Sequence, residues 1–169
     1  MTRELSHLDE KGRIRMVDVS AKPVTRRWAT AEGRIKMRPE TRLAIRAGEV
    51  GKGNVAETAR LAAIGGAKRT SDLIPLCHPL PLDAVDVLVE DDEELPGLRL
   101  VVRTGAEART GVEMEALCAV SAGLLAVYDM CKAADRDMEI FGIRLLAKEG
   151  GSSGRWVREP DGEDDVPAS

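Results

Sequence analysis

The chain has 169 residues, of which 43% are hydrophobic and 32% charged, so its length and composition are those of one globular domain of ordinary size. The net charge of −4 arises in the last eleven residues, because these carry five acids and no base and the rest of the chain is nearly neutral. A neutral body with 2% aromatic residues argues against a nucleic-acid-binding protein, and no apolar run reaches the roughly 20 residues that span a bilayer.

We expect a cytoplasmic protein without a disulfide framework. The N-terminus has no apolar signal-peptide core. Cys77, Cys118 and Cys131 are odd in number and lack the CxxC spacing of a zinc site. We expect residues 1–12 to be flexible, residues 13–158 to form a single domain, and residues 159–169 to be a disordered acidic tail.

The first half of the predicted domain contains two strands followed by two helices. The predicted elements are strands at 16–20 and 26–37 and helices at 38–48 and from about 55 to 67. Pro39 suits the first turn of the earlier helix and Gly48 suits its end. Asn54 followed by Glu57 resembles a capping box, which predicts the start of the second helix.

The second half is predicted to contain a hairpin, a long helix and a last strand. The predicted elements are strands at 84–90 and 98–104, a helix at 112–133 and a strand at 139–148. The two adjacent strands are joined by a polar connection with Pro96 and Gly97, which is typical of a β-hairpin. The mixture predicts an α+β fold with a mostly antiparallel sheet and helices packed on one face.

A glycine-rich segment at residues 47–55 is similar to a phosphate-binding loop but lacks its pattern. Arg46 stands where a P-loop has its first glycine, and Gly53 stands where it has serine or threonine. What remains is Lys52 between two glycines, just before a helix N-terminus that can attract an anion. The alternative is a helix–helix turn with a solvated lysine.

The predicted helix at 112–133 carries ionisable groups at both ends. Asp129 and Lys132 share a face and can form either an acid–base pair or an ordinary surface salt bridge. Glu113 and Glu115 can accept hydrogen bonds from a guanidine-like base edge, or serve only the helix dipole. Glu113 and Asp129 lie roughly 24 Å apart on one helix, so a small-ligand site that uses both must combine two subunits.

Three prolines stiffen the segment from Asp72 to Leu82 and fix the backbone of His78. This histidine, one of two in the chain, is either a pocket residue or a structural one. Lys68 and Arg69, just upstream, are available to an anion. No acid or histidine cluster has metal-ligand spacing, so we expect no protein-bound metal and no cofactor.

Long strings of the chain closely resemble one family. These strings are MVDVS, KGNVAETARLAAIGGAKRTSDLIPLCHPLPL, TGVEMEAL, YDMCKA and RLLAKEGGSSG, in order over about residues 5–158. The resemblance is to the MoaC family, the cyclic pyranopterin monophosphate synthases of molybdenum-cofactor biosynthesis. It implies a ferredoxin-like α+β fold and a homohexamer, a trimer of dimers, with active sites at the dimer interface.

The resemblance also implies a reaction and the residues that perform it. The implied enzyme is a lyase that converts 3′,8-cyclo-7,8-dihydro-GTP, supplied by the radical-SAM enzyme of the pathway, to cyclic pyranopterin monophosphate and pyrophosphate. Asp129 matches the catalytic aspartate, and Lys52 and Lys132 match the essential lysines. Residues that match or adjoin substrate-contacting segments are Leu76, Cys77, His78, Glu113, Met114 and Glu115, and looser assignments near the pocket are Asp18, Arg26 and Lys148. Arg109 stands where the family leads us to expect lysine.

From these roles we expect Asp129 and Lys132 to act as a coupled acid–base pair and Lys52 as a second general acid. The cations expected to hold the triphosphate are Lys68, Arg69 and Lys148. A competing interpretation is a non-catalytic purine-nucleotide sensor or scaffold on the same fold, which would need these cations but not the Asp129–Lys132 pair.

Overall fold

A computed structural model describes residues 11–92, 94–152 and 154–159. Residues 1–10 and 160–169, which make up most of the two ends expected to be flexible, lie outside these ranges. The described residues form five strands and four helices. In chain order they are β1 (Thr25–Lys36), α1 (Pro39–Ala47), α2 (Val55–Lys68), α3 (Thr70–Leu73), β2 (Ala84–Asp91), β3 (Gly97–Ala108), α4 (Glu113–Cys131), β4 (Glu139–Glu149) and β5 (Trp156–Val157).

The five strands form one antiparallel sheet in the order β2-β3-β1-β4-β5. The predicted hairpin is present as β2 and β3, and β1 lies at the centre between β3 and β4. Helices α2 and α4 pack against each other and cover one face of the sheet. The predicted α+β, ferredoxin-like architecture with helices on one face is therefore confirmed.

Helix α4 is the central element of the core. Val120, Leu124 and Val127 are fully buried in it. It is the one helix in the described ranges that is long and apolar enough to cross a membrane, and its burial between α2 and the sheet is that of a core helix. The sequence prediction of a helix at 112–133 is confirmed over Glu113–Cys131.

Two glycines allow α2 and α4 to approach closely. A Cβ on Gly66 would lie 2.6 Å from the Cβ of Ala122 and 2.8 Å from the carbonyl oxygen of Cys118. A Cβ on Gly123 would lie 2.3 Å from the Cδ2 of Leu100. Because helix separation depends on side-chain size at the contact, these two positions set how α4 sits between α2 and the sheet.

The face of the sheet opposite the helices carries a buried acid. Glu32 is only 3% exposed, and Arg99 Nε and Arg144 Nε each donate to its carboxylate at 2.8 Å. Burial alone would raise the pKa of Glu32, but the hydrogen bonds from the two guanidinium groups outweigh burial and lower it. The acid is therefore fully paired, as a buried charge must be.

Local sequence signals predicted the helix ends correctly. The Asn54 side chain accepts a hydrogen bond from the Glu57 backbone N–H at 3.0 Å, and Gly48 ends α1 with φ of 72°. The predicted strand at 16–20 is wrong. This segment alternates like a strand but pairs with no strand in the described part of the chain. The His78 side chain contacts its backbone at Val17, and Arg109 contacts the Lys22 carbonyl just beyond it.

Candidate active site

Two lysines meet one carboxylate at the C-terminal end of α4. Lys132 Nζ lies 2.6 Å from one oxygen of Asp129, and Lys52 Nζ donates to the other at 2.9 Å. Lys52 also donates to the Asp129 carbonyl oxygen at 2.7 Å. The hydrogen bonds from Lys132 and then Lys52 lower the pKa of Asp129 to about 2, and the hydrogen bond to Asp129 raises the pKa of Lys132.

The turn before α2 brings Lys52 to this position. Gly53 has φ of 103°, which a glycine adopts without strain, and the next residue is the Asn54 cap of α2. Because α2 packs along α4, its start lies beside the end of α4. An apolar pocket of about 210 Å³, lined in part by Val50, Lys52 and Met130, adjoins the three charges.

A larger cleft of about 440 Å³ lies at the N-terminal end of α4. Its walls come from the proline segment, the start of α4 and the N-terminal segment. The predicted site residues among them are Leu76, Cys77, His78, Glu113 and Met114, joined by Val17, Val19 and Lys22. The proline segment thus places three consecutive candidate residues in one wall.

The side chains of His78 and Cys77 each make a hydrogen bond. The Nε2 of His78 lies 2.9 Å from the carbonyl oxygen of Val17, so this nitrogen donates. The Cys77 thiol donates to the Oε1 of Glu115 at 3.6 Å. Glu115 is 2% exposed, its Oε2 has no hydrogen-bond partner among the described residues, and burial raises its pKa. It contacts Cys77, a residue of the cleft wall, and is not itself among the described residues of that wall.

Burial also governs the three thiols. It raises the pKa of Cys77 to about 11, with further contributions from the charge and hydrogen bond of Glu115. Burial likewise raises the pKa values of Cys118 and Cys131. At neutral pH the thiols therefore stay protonated, which does not favour a nucleophilic role for Cys77.

A second, cationic cleft of about 250 Å³ continues from the first and shares Lys22, Thr110, Gly111 and Glu113 with it. Its basic residues are Lys22, Arg27, Arg109 and Lys148. Lys148 Nζ lies 2.9 Å from Oε1 of Glu113. These cations make the cleft suitable for a polyanion.

Arg27 lines this cationic cleft with part of its guanidinium group unpaired among the described residues. A Cβ on Gly151 would lie 1.7 Å from the Arg27 guanidinium, so a larger residue there would force that group to move from its present position. The Nε of Arg27 is buried and has no hydrogen-bond partner among the described residues. A buried donor without a partner favours an incoming acceptor.

The predicted residues therefore fall into two groups at opposite ends of α4. Lys52, Asp129 and Lys132 form one group, and the cleft residues form the other. Lys68 and Arg69 are exposed at the end of α2, and in the described part of the chain the walls of the two clefts include neither of them. Exposed Asp18 accepts from the Ser20 backbone N–H at 2.8 Å.

Sequence reasoning missed Arg27, Lys22 and the contact made by Arg109. It named Arg26, whose guanidinium instead lies 5.4 Å from the Trp28 ring centroid. Adjacent strand residues point to opposite faces, so only the register of β1 in the sheet separates Arg26 from Arg27.

Across the described ranges, no group of three or more His, Cys, Asp or Glu side chains is arranged to hold a metal ion.

Comparison with known proteins gives the relationship. The sequence pattern of the MoaC family matches residues 16–151. The chain belongs to the MoaC family. Cyclic pyranopterin monophosphate synthase of Methylobacterium sp. strain 4-46 is 58% identical over 92% of this chain and 98% of its own length. The proteins of the same name from Brucella ovis and Thermomicrobium roseum are 55% and 54% identical over 93% and 94% of this chain, and each match covers 95% of the relative.

Proposed function

We propose that this chain is a cytoplasmic cyclic pyranopterin monophosphate synthase of molybdenum-cofactor biosynthesis, with residues 13–158 as its catalytic domain. Its reaction would convert 3′,8-cyclo-7,8-dihydro-GTP to cyclic pyranopterin monophosphate with release of pyrophosphate. The observation that carries the proposal is the meeting of Lys52, Asp129 and Lys132 at one end of α4, in a chain whose MoaC relatives bear that enzyme's name.

The two lysines supply protons in this proposal. With its pKa lowered to about 2, Asp129 is a weak base while it contacts both ammonium groups. Its first task is to hold Lys52 and Lys132 protonated and oriented, so that they act as general acids as rings open and close. When substrate draws a lysine away, the carboxylate loses a stabilising partner and becomes the better proton acceptor of the coupled set.

The cationic cleft takes the triphosphate. This role is supported by three cations in the cleft wall, Lys22, Arg27 and Lys148. Further anion contacts by Lys68 and Arg69 stay predictions. As the cyclic phosphate forms, a ribose-derived oxygen bonds to the α-phosphorus and the bond to the bridging oxygen breaks. The pyrophosphate leaves with the added negative charge, which fixed cations stabilise better than water does.

The adjoining cleft takes the base. Leu76, Cys77, His78 and Met114 would bound the ring system, and Glu113 would accept from its N–H groups. Glu115 would act by fixing the Cys77 thiol. The looser assignments of Asp18 and Arg26 near the pocket stay predictions.

A complete site needs two subunits. The start and end of α4 are 16 residues or roughly 24 Å apart, which is too far for one small substrate to contact both. An antiparallel partner would bring its lysine group beside the cleft of the first subunit. Leu61 and Leu125 are 70% and 61% exposed on the α2–α4 layer, which supports a subunit interface on that layer. We propose that such dimers assemble three at a time into the hexamer.

The test is to incubate the purified protein with purified 3′,8-cyclo-7,8-dihydro-GTP and measure both pyrophosphate and the cyclic product. The Asp129→Asn variant should lose about 10²–10⁴-fold in turnover, the usual range for a general acid–base group. The hydrogen bond to Asp129 raises the pKa of Lys132. In the variant, the fall of activity on the alkaline side of the pH profile should therefore occur at lower pH.

Two results would oppose the proposal. Substrate binding without pyrophosphate release would indicate the sensor rather than the enzyme. Near-normal turnover by Asp129→Asn, with unchanged subunit assembly, would remove the lysine–aspartate group from the mechanism.

A further inference from the structure

The segment Val17–Lys22 crosses the site as a strap without regular secondary structure. Three of its side chains, Val17, Val19 and Lys22, line the larger cleft. A single turn closes within it, where the Lys22 backbone N–H donates to the Val19 carbonyl at 3.0 Å. Because a strand ladder is missing, the position of Lys22 depends on contacts from outside the strap.

Two side chains supply those contacts. His78 donates to the Val17 carbonyl at 2.9 Å, near the start of the strap. Arg109 donates through its Nε to the Lys22 carbonyl at 3.1 Å, at the other end. Arg109 comes from the connection between β3 and α4, so its bond joins the strap to the start of α4.

The guanidinium chemistry suits this position. Arginine can give its Nε–H to a carbonyl while the N–H groups on its other two nitrogens stay available, whereas a lysine ammonium carries all three of its N–H donors on one nitrogen. The strap therefore gains a fixed attachment without losing positive charge from the cationic cleft.

We propose that Arg109 is a positioning residue for Lys22: it fastens the strap so that the Lys22 ammonium stays over the shared part of the two clefts. The inference rests on the proposed function, because it takes the cationic cleft to be a polyphosphate site. Fixing the backbone before binding spares the entropy that a mobile lysine would lose on contact with the anion.

The first experiment measures strap order in the unliganded full chain by amide hydrogen exchange. In Arg109→Met, the hydrogen-bonded amides of Ser20 and Lys22 should exchange about tenfold faster, since one hydrogen bond of this kind stabilises the closed strap by that factor. Arg158→Met is the matched control, because Arg158 Nε also donates to a carbonyl, that of Leu145, at 2.9 Å. It should leave the strap unchanged. Unchanged exchange in Arg109→Met would overturn the proposal.

The second experiment asks whether Arg109 acts through Lys22. Binding of inorganic pyrophosphate is measured by calorimetry for the unaltered protein, Arg109→Met, Lys22→Met and the double variant. Arg109→Met alone should weaken binding about tenfold, and in the Lys22→Met background it should cost less than about threefold. Equal losses in both backgrounds would mean that Arg109 contacts the anion itself, and the positioning role would be wrong.

The two proposals fail differently. If pyrophosphate did not bind the unaltered protein, the polyphosphate assignment of the cleft would fail and this role with it. If pyrophosphate bound normally but the two substitutions were additive, only the role of Arg109 would fail.

Discussion

Glu115 is buried behind the wall of the candidate cleft. The MoaC resemblance named it as a substrate contact, yet its carboxyl group is 2% exposed and meets the cleft through the Cys77 thiol. Burial of a carboxyl group with one unpaired oxygen disfavours the charged form, so its pKa is raised above the ordinary value of 4.5.

Glu115 should therefore make stability depend on pH in a defined direction. Above pH 4.5 the unfolded chain releases this proton while the native chain keeps it, so the native state loses stability as the pH rises toward the raised pKa. Glu115→Gln removes this effect. The melting temperature of Glu115→Gln should therefore rise relative to that of the unaltered protein as the pH increases from 4 to 7.5.

Thermal melts at the two pH values measure this difference. The exposed Glu107 provides the control, because Glu107→Gln removes the same charge without touching a buried group. If both variants showed the same change with pH, Glu115 would be ionised in the native protein and its burial would not matter.

At the scale of elements, α2 and α4 depend on small residues where they touch. Gly66 faces Ala122 and the backbone of Cys118, whereas a Cβ on the neighbouring Gly65 would meet no described atom within 4 Å. The two glycines lie in the same helix. Comparing substitutions at the two positions therefore separates the effect of contact between the helices from the effect of helix propensity.

Gly66→Ala should destabilise the protein by about 1–3 kcal/mol, because a methyl group at 2.6–2.8 Å from α4 forces the helices apart. Gly65→Ala should instead stabilise by about 0.5–1 kcal/mol, since alanine loses less backbone entropy in a helix. Urea unfolding of both variants measures the difference. Equal stability of the two would show that the helices can separate at no cost.

Elements with local signals could be predicted from the sequence, and those that depend on distant contacts could not. The Asn54 cap, the Gly48 end and the β2–β3 hairpin were all readable from adjacent residues. The strap was not, because its alternation is that of a strand while its backbone partners, His78 and Arg109, lie far along the chain. Arg27 was missed for a related reason, since sheet register decides which of two neighbouring arginines enters the cleft.

At the scale of the whole molecule, the two halves of the proposed site lie at opposite ends of one rigid helix. The spacing argument from the sequence predicted this separation, and α4 contains both Glu113 and Asp129. A single chain does not specify the partner, because an interface depends on two complementary surfaces and the exposed Leu61 and Leu125 belong to one of them.

If two subunits share each site, two inactive variants should restore activity to each other. Lys52→Ala lacks the lysine half and His78→Ala lacks the cleft half. In a mixed dimer one of the two sites receives both unaltered halves, so random co-assembly should recover about a quarter of normal activity. Pyrophosphate release from co-expressed variants measures it, with the variants expressed singly as controls. Activity no higher than that of the single variants would place all the machinery within one subunit.

The protonated state of the three natural cysteines has a practical consequence. Maleimides and similar reagents attack thiolates, and burial keeps Cys77, Cys118 and Cys131 from forming them near neutral pH. A cysteine introduced at an exposed position such as Arg136 would therefore accept a fluorophore selectively. Donor and acceptor dyes could then report the exchange of subunits between assemblies without prior removal of any native sulfur.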